Sequence, residues 1–390
     1  MKILIVVTAF DVGGITTACV NFSNELIYRG NEVTILNMSG KDNPTPNTLH
    51  KDVKIKYLDK KRQHFNTTLN TIKTKKGVLS KIKSLFIGVR KKLLNKKGKW
   101  LQTFFKGYSV EGEYDVAIAY RQCAPCYYFT LNCVNARKKL AFVHGDINFM
   151  GDISSWQLYM QSFDKIAYVS KAVEEGFVKK YPNLKSNACV IYNVLEIDKT
   201  EALATQPCDV NIDNNVFNIV TVARIENEIK RIDWIIKVCK ILNEKCDKKY
   251  HWYIVGDGPD YNYNKKLVNN FKLNNNITFV GYKNNPYNIV KNCKLFVLPT
   301  KTEAYPMVVL ESLLLQVPPL VTRYSSSDEQ IINNKTGIIV NSFDDLVLNL
   351  QNILENDDLL QNLKNNLSKT KFSNDLAYSQ FLTALGGLEK

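Results

Sequence analysis

Apolar positions along this chain follow two rhythms. Short unbroken apolar runs read as buried strands, and longer stretches with an apolar residue every third or fourth position read as helices. The chain opens with a strand at Ile3–Val7, a turn at Gly13-Gly14, a helix over Thr16–Arg29 closed by Gly30, and a strand at Glu32–Leu36. That is a βαβ start. Asp115–Tyr120, Lys139–Val143 and Lys165–Val169 read as further buried strands, and Ala188–Tyr192 ends this half. Residues 196–216 are polar and turn-rich and read as a linker. A second series then begins: strand Phe217–Val222, helix Ile232–Leu242, strand Trp252–Val255, helix Tyr261–Phe271, and strands Ile277–Val280, Leu295–Leu298 and Pro319–Thr322. Such alternation predicts an α/β fold of parallel sheets with helices on both faces. Two such halves facing one another enclose a cleft, a favoured place for ligands.

The length of 390 residues agrees with two domains of similar size. The expected units are residues 1–195, the linker 196–216, and residues 217–371. No apolar run approaches the roughly 20 residues that span a bilayer. Met1–Val7 is followed by Asp11-Val-Gly-Gly14 rather than by a cleavage site, so it reads as a strand and not a signal peptide. The nine cysteines are scattered. Only Cys123 and Cys126 approach a metal spacing, and no second pair completes a site. Reduced thiols of a cytoplasmic protein are the expectation.

Charge changes the picture in one place. Of the net charge of +15, the segment Ile72–Gly107 supplies +12, from eleven lysines, one arginine and no acidic residue. Within it Val78/Leu79, Ile82, Leu85/Phe86, Val89, Leu93/Leu94, Leu101 and Phe104/Phe105 recur at roughly helical spacing. A basic amphipathic helix reads as an anchor on an anionic membrane surface, each lysine adding about 1 kcal/mol near an anionic leaflet. This predicts a peripheral protein on the inner face of the cell membrane. A core-packed helix with a solvated basic face is the alternative. Nucleic acid is not expected, because no recognisable nucleic-acid module accompanies the charge.

The chemistry concentrates in Lys301-Thr-Glu-Ala-Tyr-Pro-Met-Val-Val-Leu-Glu311. The strand before it places Glu303 in a loop at a carboxyl end, and helical periodicity over Met307–Leu315 places Glu311 about one turn into a helix. That crevice is where open α/β sheets bind ligands, and the helix N-terminus suits a diphosphate. Two carboxylates beside an anion make sense if they hold its uncharged hydroxyls. A nucleotide sugar offers both parts. Arg224 and Lys230 follow the first strand of the second half, where two cations can neutralise a departing diphosphate. Gly256-Asp-Gly-Pro259 is a strand-end turn. Gly13-Gly14 lets backbone approach a phosphate closely, but it is not the three-glycine dinucleotide fingerprint, so a nicotinamide cofactor is not expected. His144 follows a strand facing the cleft, with Asp146 beside it.

These motifs resemble the retaining glycosyltransferases of family four (glycosyl transferases group 1). The resemblance implies the GT-B fold: two Rossmann-like domains whose parallel sheets face across a cleft, with a C-terminal helix, here within 372–390, crossing back onto the first domain. It implies that Glu303 contacts the donor sugar, that Glu311 binds the ribose, and that Ala304, Tyr305, Pro306, Met307 and Val308 present backbone to the diphosphate. It places Gly256, Asp257 and Gly258 near the nucleotide and the backbone of Val280, Gly281 and Tyr282 on the base. It implies that Gly13 and Gly14 face the donor diphosphate across the cleft and that His144 lies close to the transferred sugar; from its position beside His144, Asp146 is expected to contact acceptor hydroxyls. The spacing from Arg224 to Lys230 is one residue longer than the commonest version. Ile15-Thr-Thr17 replaces the usual acidic residue after the glycines, and Gln316 stands where relatives mostly carry glycine.

The implied activity is transfer of a sugar from a nucleoside-diphosphate sugar, a UDP-sugar above all, to a lipid-linked or glycan acceptor. It needs no metal, no cofactor and no protein nucleophile, the donor phosphate taking the acceptor proton. By chemistry alone Glu303 could instead be a nucleophile. The alternatives for the whole chain are a sugar-nucleotide 2-epimerase and a non-catalytic GT-B partner subunit.

Overall fold

The computed structural model describes residues 1–11, 13–59, 62–63 and 99–386. The first sheet contains β1 (Lys2–Val7), β2 (Glu32–Asn37), β3 (Lys54–Tyr57), β4 (Glu113–Ala119), β5 (Asn135–Val143), β6 (Lys165–Tyr168) and β7 (Ala188–Val190). Their order is β3-β2-β1-β4-β5-β6-β7, with every pairing parallel. Ile3, Leu4, Ile5 and Val6 of β1 are wholly buried, which is why the strand reads as a continuous apolar run rather than an alternating one.

The second sheet contains β8 (Phe217–Val222), β9 (Tyr250–Val255), β10 (Ile277–Gly281), β11 (Leu295–Leu298), β12 (Pro319–Thr322) and β13 (Ile338–Val340). It is also parallel throughout, in the order β10-β9-β8-β11-β12-β13. Strand order reverses between β1 and β4 in one sheet and between β8 and β11 in the other. Ligands of open α/β sheets bind at the carboxyl ends of strands beside such switch points.

Each sheet is covered on both faces by apolar cores. One core crosses between the domains: Met307 and Leu314 of the second pack in the same cluster as Ile3, Phe22 and Tyr120 of the first. The helix Asp375–Leu385 closes that cluster, with the Phe381 ring edge-on to Phe22 at 5.4 Å. Asn374 ties its start to the first domain, donating to Glu25 Oε2 and to the Leu195 carbonyl, both at 2.8 Å.

Three features depart from the sequence expectations. The segment 196–216 holds a helix, Ile197–Ala204, whose Leu203 carbonyl accepts from Asn285 at 2.9 Å. The edge strands β3 and β13 are short: β3 (Lys-Ile-Lys-Tyr) has no buried residue and makes no apolar run, and the buried apolar run of β13 is only three residues long. The end of the basic segment turns inward. Trp100, Leu101 and Phe105 are buried in the first domain's core, and Phe104 packs against it. Phe105 meets Phe129 edge-on at 5.2 Å. Leu101, Phe104 and Phe105 are therefore core residues rather than part of a lipid-facing stripe, since aromatic area of this size is stabilised by leaving water. The lysine-rich stretch 72–98 lies outside the described residues.

Candidate active site

At the second switch point, β8 delivers Arg224 on a loop pinned to its neighbours by backbone. Ala223 N–H donates to Val255 O (3.0 Å), Ile225 N–H to Asp257 O (3.0 Å), and Asp260 N–H to Ile225 O (3.1 Å). The glycines of Gly256-Asp-Gly-Pro259 make this approach possible. A Cβ on Gly256 would lie 1.9 Å from the Ala223 carbonyl oxygen, and one on Gly258 2.3 Å from that of Ile225. Gly256 also has φ 143°, open to few other residues. Asp257 accepts from the Gly258 N–H at 2.7 Å. The Arg224 side chain is 68% exposed, with Glu226 3.7 Å away.

The loop after β11 is sewn to the short helix Asn227–Lys230. The Ile229 carbonyl accepts from Lys301 N–H (2.7 Å) and from the Thr300 hydroxyl (3.1 Å). The next residue, Lys230, then reaches Glu303, and Nζ bonds Oε1 in a pair whose side chains are only 21% and 15% exposed. Arg231 goes elsewhere. It takes a left-handed conformation (φ 51°) at the start of helix Ile232–Lys245 and lays its guanidinium over Trp234 at 4.2 Å.

Glu311 sits in helix Met307–Leu314, which starts after Pro306 with no side-chain cap. Its first-turn N–H groups are thus not used by a capping side chain and favour an anion. Glu311 is 8% exposed, and burial pushes its carboxyl up to about 7 against the pull of a hydrogen bond from Tyr287 OH to Oε1 (3.2 Å). Sequence reasoning missed Tyr287, because no spacing links it to a carboxylate 24 positions away.

The preceding loop is held from both domains. Tyr305 stacks on Tyr192 at 5.0 Å and its carbonyl accepts from Asn193 (3.1 Å). The Pro306 carbonyl accepts from Gln330 (3.1 Å). That same helix explains the departure at Gln316. Its φ of 64° is left-handed, and the Val317 N–H returns to the Ser312 carbonyl at 2.9 Å. This is the helix-ending geometry that glycine accommodates without a Cβ penalty.

On the edge strand β10 the register slips. Phe279 faces Ile254 and Gly281 faces Val255, so Val280 has no partner in the ladder. Tyr282 follows, 57% exposed.

In the first domain Gly13 (φ 146°) caps helix Gly14–Tyr28 at the end of β1, and nothing lies within 4 Å of a Cβ built on either Gly13 or Gly14. A cavity of about 530 Å³ joins Gly13 and Thr16 to Tyr282 and Tyr287 across the domains. His144 follows β5. Its Nε2 lies 3.0 Å from the Tyr120 carbonyl, which can only accept, so Nε2 carries the proton and Nδ1 a lone pair. Burial pushes this imidazole down to about 4, and it stacks on Phe142. Asp146 is 7% exposed and accepts from the Asn148 N–H at 2.9 Å. The described partners of His144 and Asp146 all belong to the first domain, whereas Lys230, Glu303 and Glu311 gather in the second. Among the described residues no group of His, Cys, Asp or Glu is placed to hold a metal ion, and no helix is long and apolar enough to cross a membrane.

Residues 205–370 match the family described as Glycosyl transferases group 1. An uncharacterized glycosyltransferase of Methanocaldococcus jannaschii is 29% identical over 183 residues, covering 46% of this chain and 45% of the relative. The O-antigen biosynthesis glycosyltransferase WclY of Escherichia coli is 24% identical over 160 residues, 41% of this chain and 43% of the relative. The match thus spans about half the length of the curated relatives. Structural likeness extends over the whole chain. A TarM variant from S. aureus, solved with fondaparinux, α-GlcNAc-glycerol and UDP, superposes with a TM-score of 0.72 at 15% identity, covering 99% of this chain and 100% of that one. Anabaena HepE, solved with UDP and glucose, gives 0.68 at 15% identity with both chains fully covered. The chain therefore has the two-domain GT-B fold, and its second half carries the match to Glycosyl transferases group 1.

Proposed function

We propose that this protein is a retaining glycosyltransferase. It would move a sugar from a nucleoside-diphosphate sugar, with UDP as the carrier, to a glycan or lipid-linked acceptor during surface polysaccharide synthesis. The observation that carries this reading is the joining of Lys230 to Glu303 beside the uncapped helix that bears Glu311. A cation, a helix N-terminus and two carboxylates are what a sugar diphosphate requires. UDP is favoured as the carrier because it is bound in the TarM and HepE structures. The polysaccharide role is favoured by the name of the Escherichia coli relative.

In the proposed reaction the bond between the sugar's anomeric carbon and the diphosphate oxygen breaks, and its electron pair leaves with the diphosphate. Arg224, Lys230 and the N-terminus of helix Met307–Leu314 stabilise that charge. The acceptor oxygen bonds the anomeric carbon on the same face, and its proton passes to the departing phosphate. Glu303 holds sugar hydroxyls, with Lys230 bonded to its Oε1. Glu311 takes the ribose, and Gly13 and Gly14 close on the diphosphate from the first domain. The unladdered backbone at Val280, with Gly281 and Tyr282, receives the base. His144, neutral at pH 7, offers a hydrogen bond near the sugar without adding charge. Asp146 faces the acceptor. The lysines of 72–98 supply attachment to an anionic membrane surface at its cytoplasmic face.

A thermal-shift series with nucleotides and UDP-sugars tests the donor site, since a ligand bound only by the folded state raises the melting temperature. UDP should raise it in the wild type and fail to do so in Glu311→Gln. No shift with any nucleotide would overturn the reading.

A further inference from the structure

Helix Lys171–Lys180 of the first domain has its opening turn completed by the second. Ser170 Oγ accepts from the Val173 N–H at 3.2 Å. The two N–H groups before it, Lys171 and Ala172, donate to the two carboxylate oxygens of Glu329, each at 2.9 Å. Glu329 lies in helix Ser327–Gln330, more than 150 residues further on in the chain. Its Oε2 also accepts from Tyr192 OH at 2.9 Å. An ionised carboxylate on two N–H groups at a helix start gains from charge-assisted hydrogen bonding and from the helix dipole together.

The contact does not end there. The Tyr192 ring stacks on Tyr305, and the neighbouring Asn193 bonds the Tyr305 carbonyl. Gln330, beside Glu329, bonds the Pro306 carbonyl. The loop that leads into the Met307 helix is therefore held on one side by the first domain and on the other by the residue next to Glu329. When the domains separate, the Lys171 and Ala172 N–H groups lose their partner, and Tyr305 loses its stacking surface in the same motion.

We infer that Glu329 is a positioning residue. It latches the two domains through the start of helix Lys171–Lys180 and, with Tyr192, sets the Ala304–Met307 loop in its closed geometry. The link to donor binding rests on the donor-site reading above, but the latch itself does not.

The test uses the full chain and two readouts. Small-angle scattering without ligand reports domain separation, and calorimetry with UDP reports the site. Glu329→Gln puts an amide N–H where a carboxylate oxygen accepted, so one of the two backbone bonds is lost. The expected result is a larger radius of gyration than wild type and about tenfold weaker UDP binding. Tyr192→Phe keeps the stack and removes one of three bonds to Glu329, so it should weaken UDP binding less. It also serves if Glu329→Gln fails to fold. Wild-type radius and wild-type UDP affinity in both variants would overturn the latch. If the wild type binds no UDP the donor reading fails, and the scattering comparison alone still decides the latch.

Discussion

Lys230 Nζ is bonded to Glu303 Oε1 although the two residues lie 73 positions apart. The Ile229 carbonyl makes this possible by accepting from both Thr300 and Lys301, which fixes one loop against the other. Arg231, the adjacent cation, is committed to Trp234.

Lys230→Ala should therefore lower turnover by about 10²–10³-fold, the usual effect of removing a fixed charge stabiliser. Arg224→Ala should do the same with little change in melting temperature, because its side chain is 68% exposed. Arg231→Ala should leave turnover within a few-fold of wild type. Steady-state rates on one UDP-sugar compare all three. A large loss from Arg231→Ala with none from Lys230→Ala would reverse the assignment.

Burial raises the Glu311 carboxyl from 4.5 to about 7. The folded state then binds more protons than the unfolded state between those values, so this residue's contribution to stability falls as pH rises through them and is fully unfavourable above about 7. Glu311→Gln should be more stable than wild type at pH 8, by up to about 3 kcal/mol, and the gain should vanish below pH 4.5. The same variant should bind UDP poorly. Wild-type UDP affinity should increase from pH 6 to 8 as the carboxylate forms. Urea melts at several pH values check the first claim, and calorimetry checks the others. A variant less stable than wild type at pH 8 would contradict the account of Glu311.

Gln316→Gly should raise stability by about 1 kcal/mol, because glycine pays no Cβ penalty at φ 64°. Activity should not change. A lower melting point would mean that the glutamine side chain contributes more than its backbone strain costs.

Much of this was legible in the sequence. Buried parallel strands leave unbroken apolar runs, so β1 and β11 read directly, and Glu303 and Glu311 follow from where β11 ends. What was not legible depends on contacts without a sequence period. Tyr287 reaches Glu311 from another element, and Glu329 meets Lys171 only through the domain arrangement. The Ile197–Ala204 helix hides in a polar segment. Spacing alone also misled at Leu101, Phe104 and Phe105, since an apolar stripe fits a protein core as well as a bilayer.

The remaining lysines of the basic segment make a separate claim. Replacing Lys91, Lys92, Lys96 and Lys97 with glutamine should abolish binding to vesicles containing anionic lipid while sparing hydrolysis of a soluble donor. Wild-type binding should fall with salt, as the Debye length shrinks from about 10 Å at 0.1 M to 3 Å at 1 M. Equal binding to neutral vesicles, or none to either, would reject electrostatic attachment.

The central claim is sugar transfer from a nucleoside diphosphate through the Lys230–Glu303–Glu311 site. The most direct measurement follows UDP release and product anomer by NMR, with UDP-sugars as donors, in wild type, Glu303→Gln and Glu311→Gln. The account predicts slow hydrolysis by wild type that releases the sugar in the donor's own anomeric configuration. It also predicts loss of turnover in Glu303→Gln and weakened donor binding in Glu311→Gln. An inverted product would contradict retention, and wild-type rates in both variants would contradict the site itself.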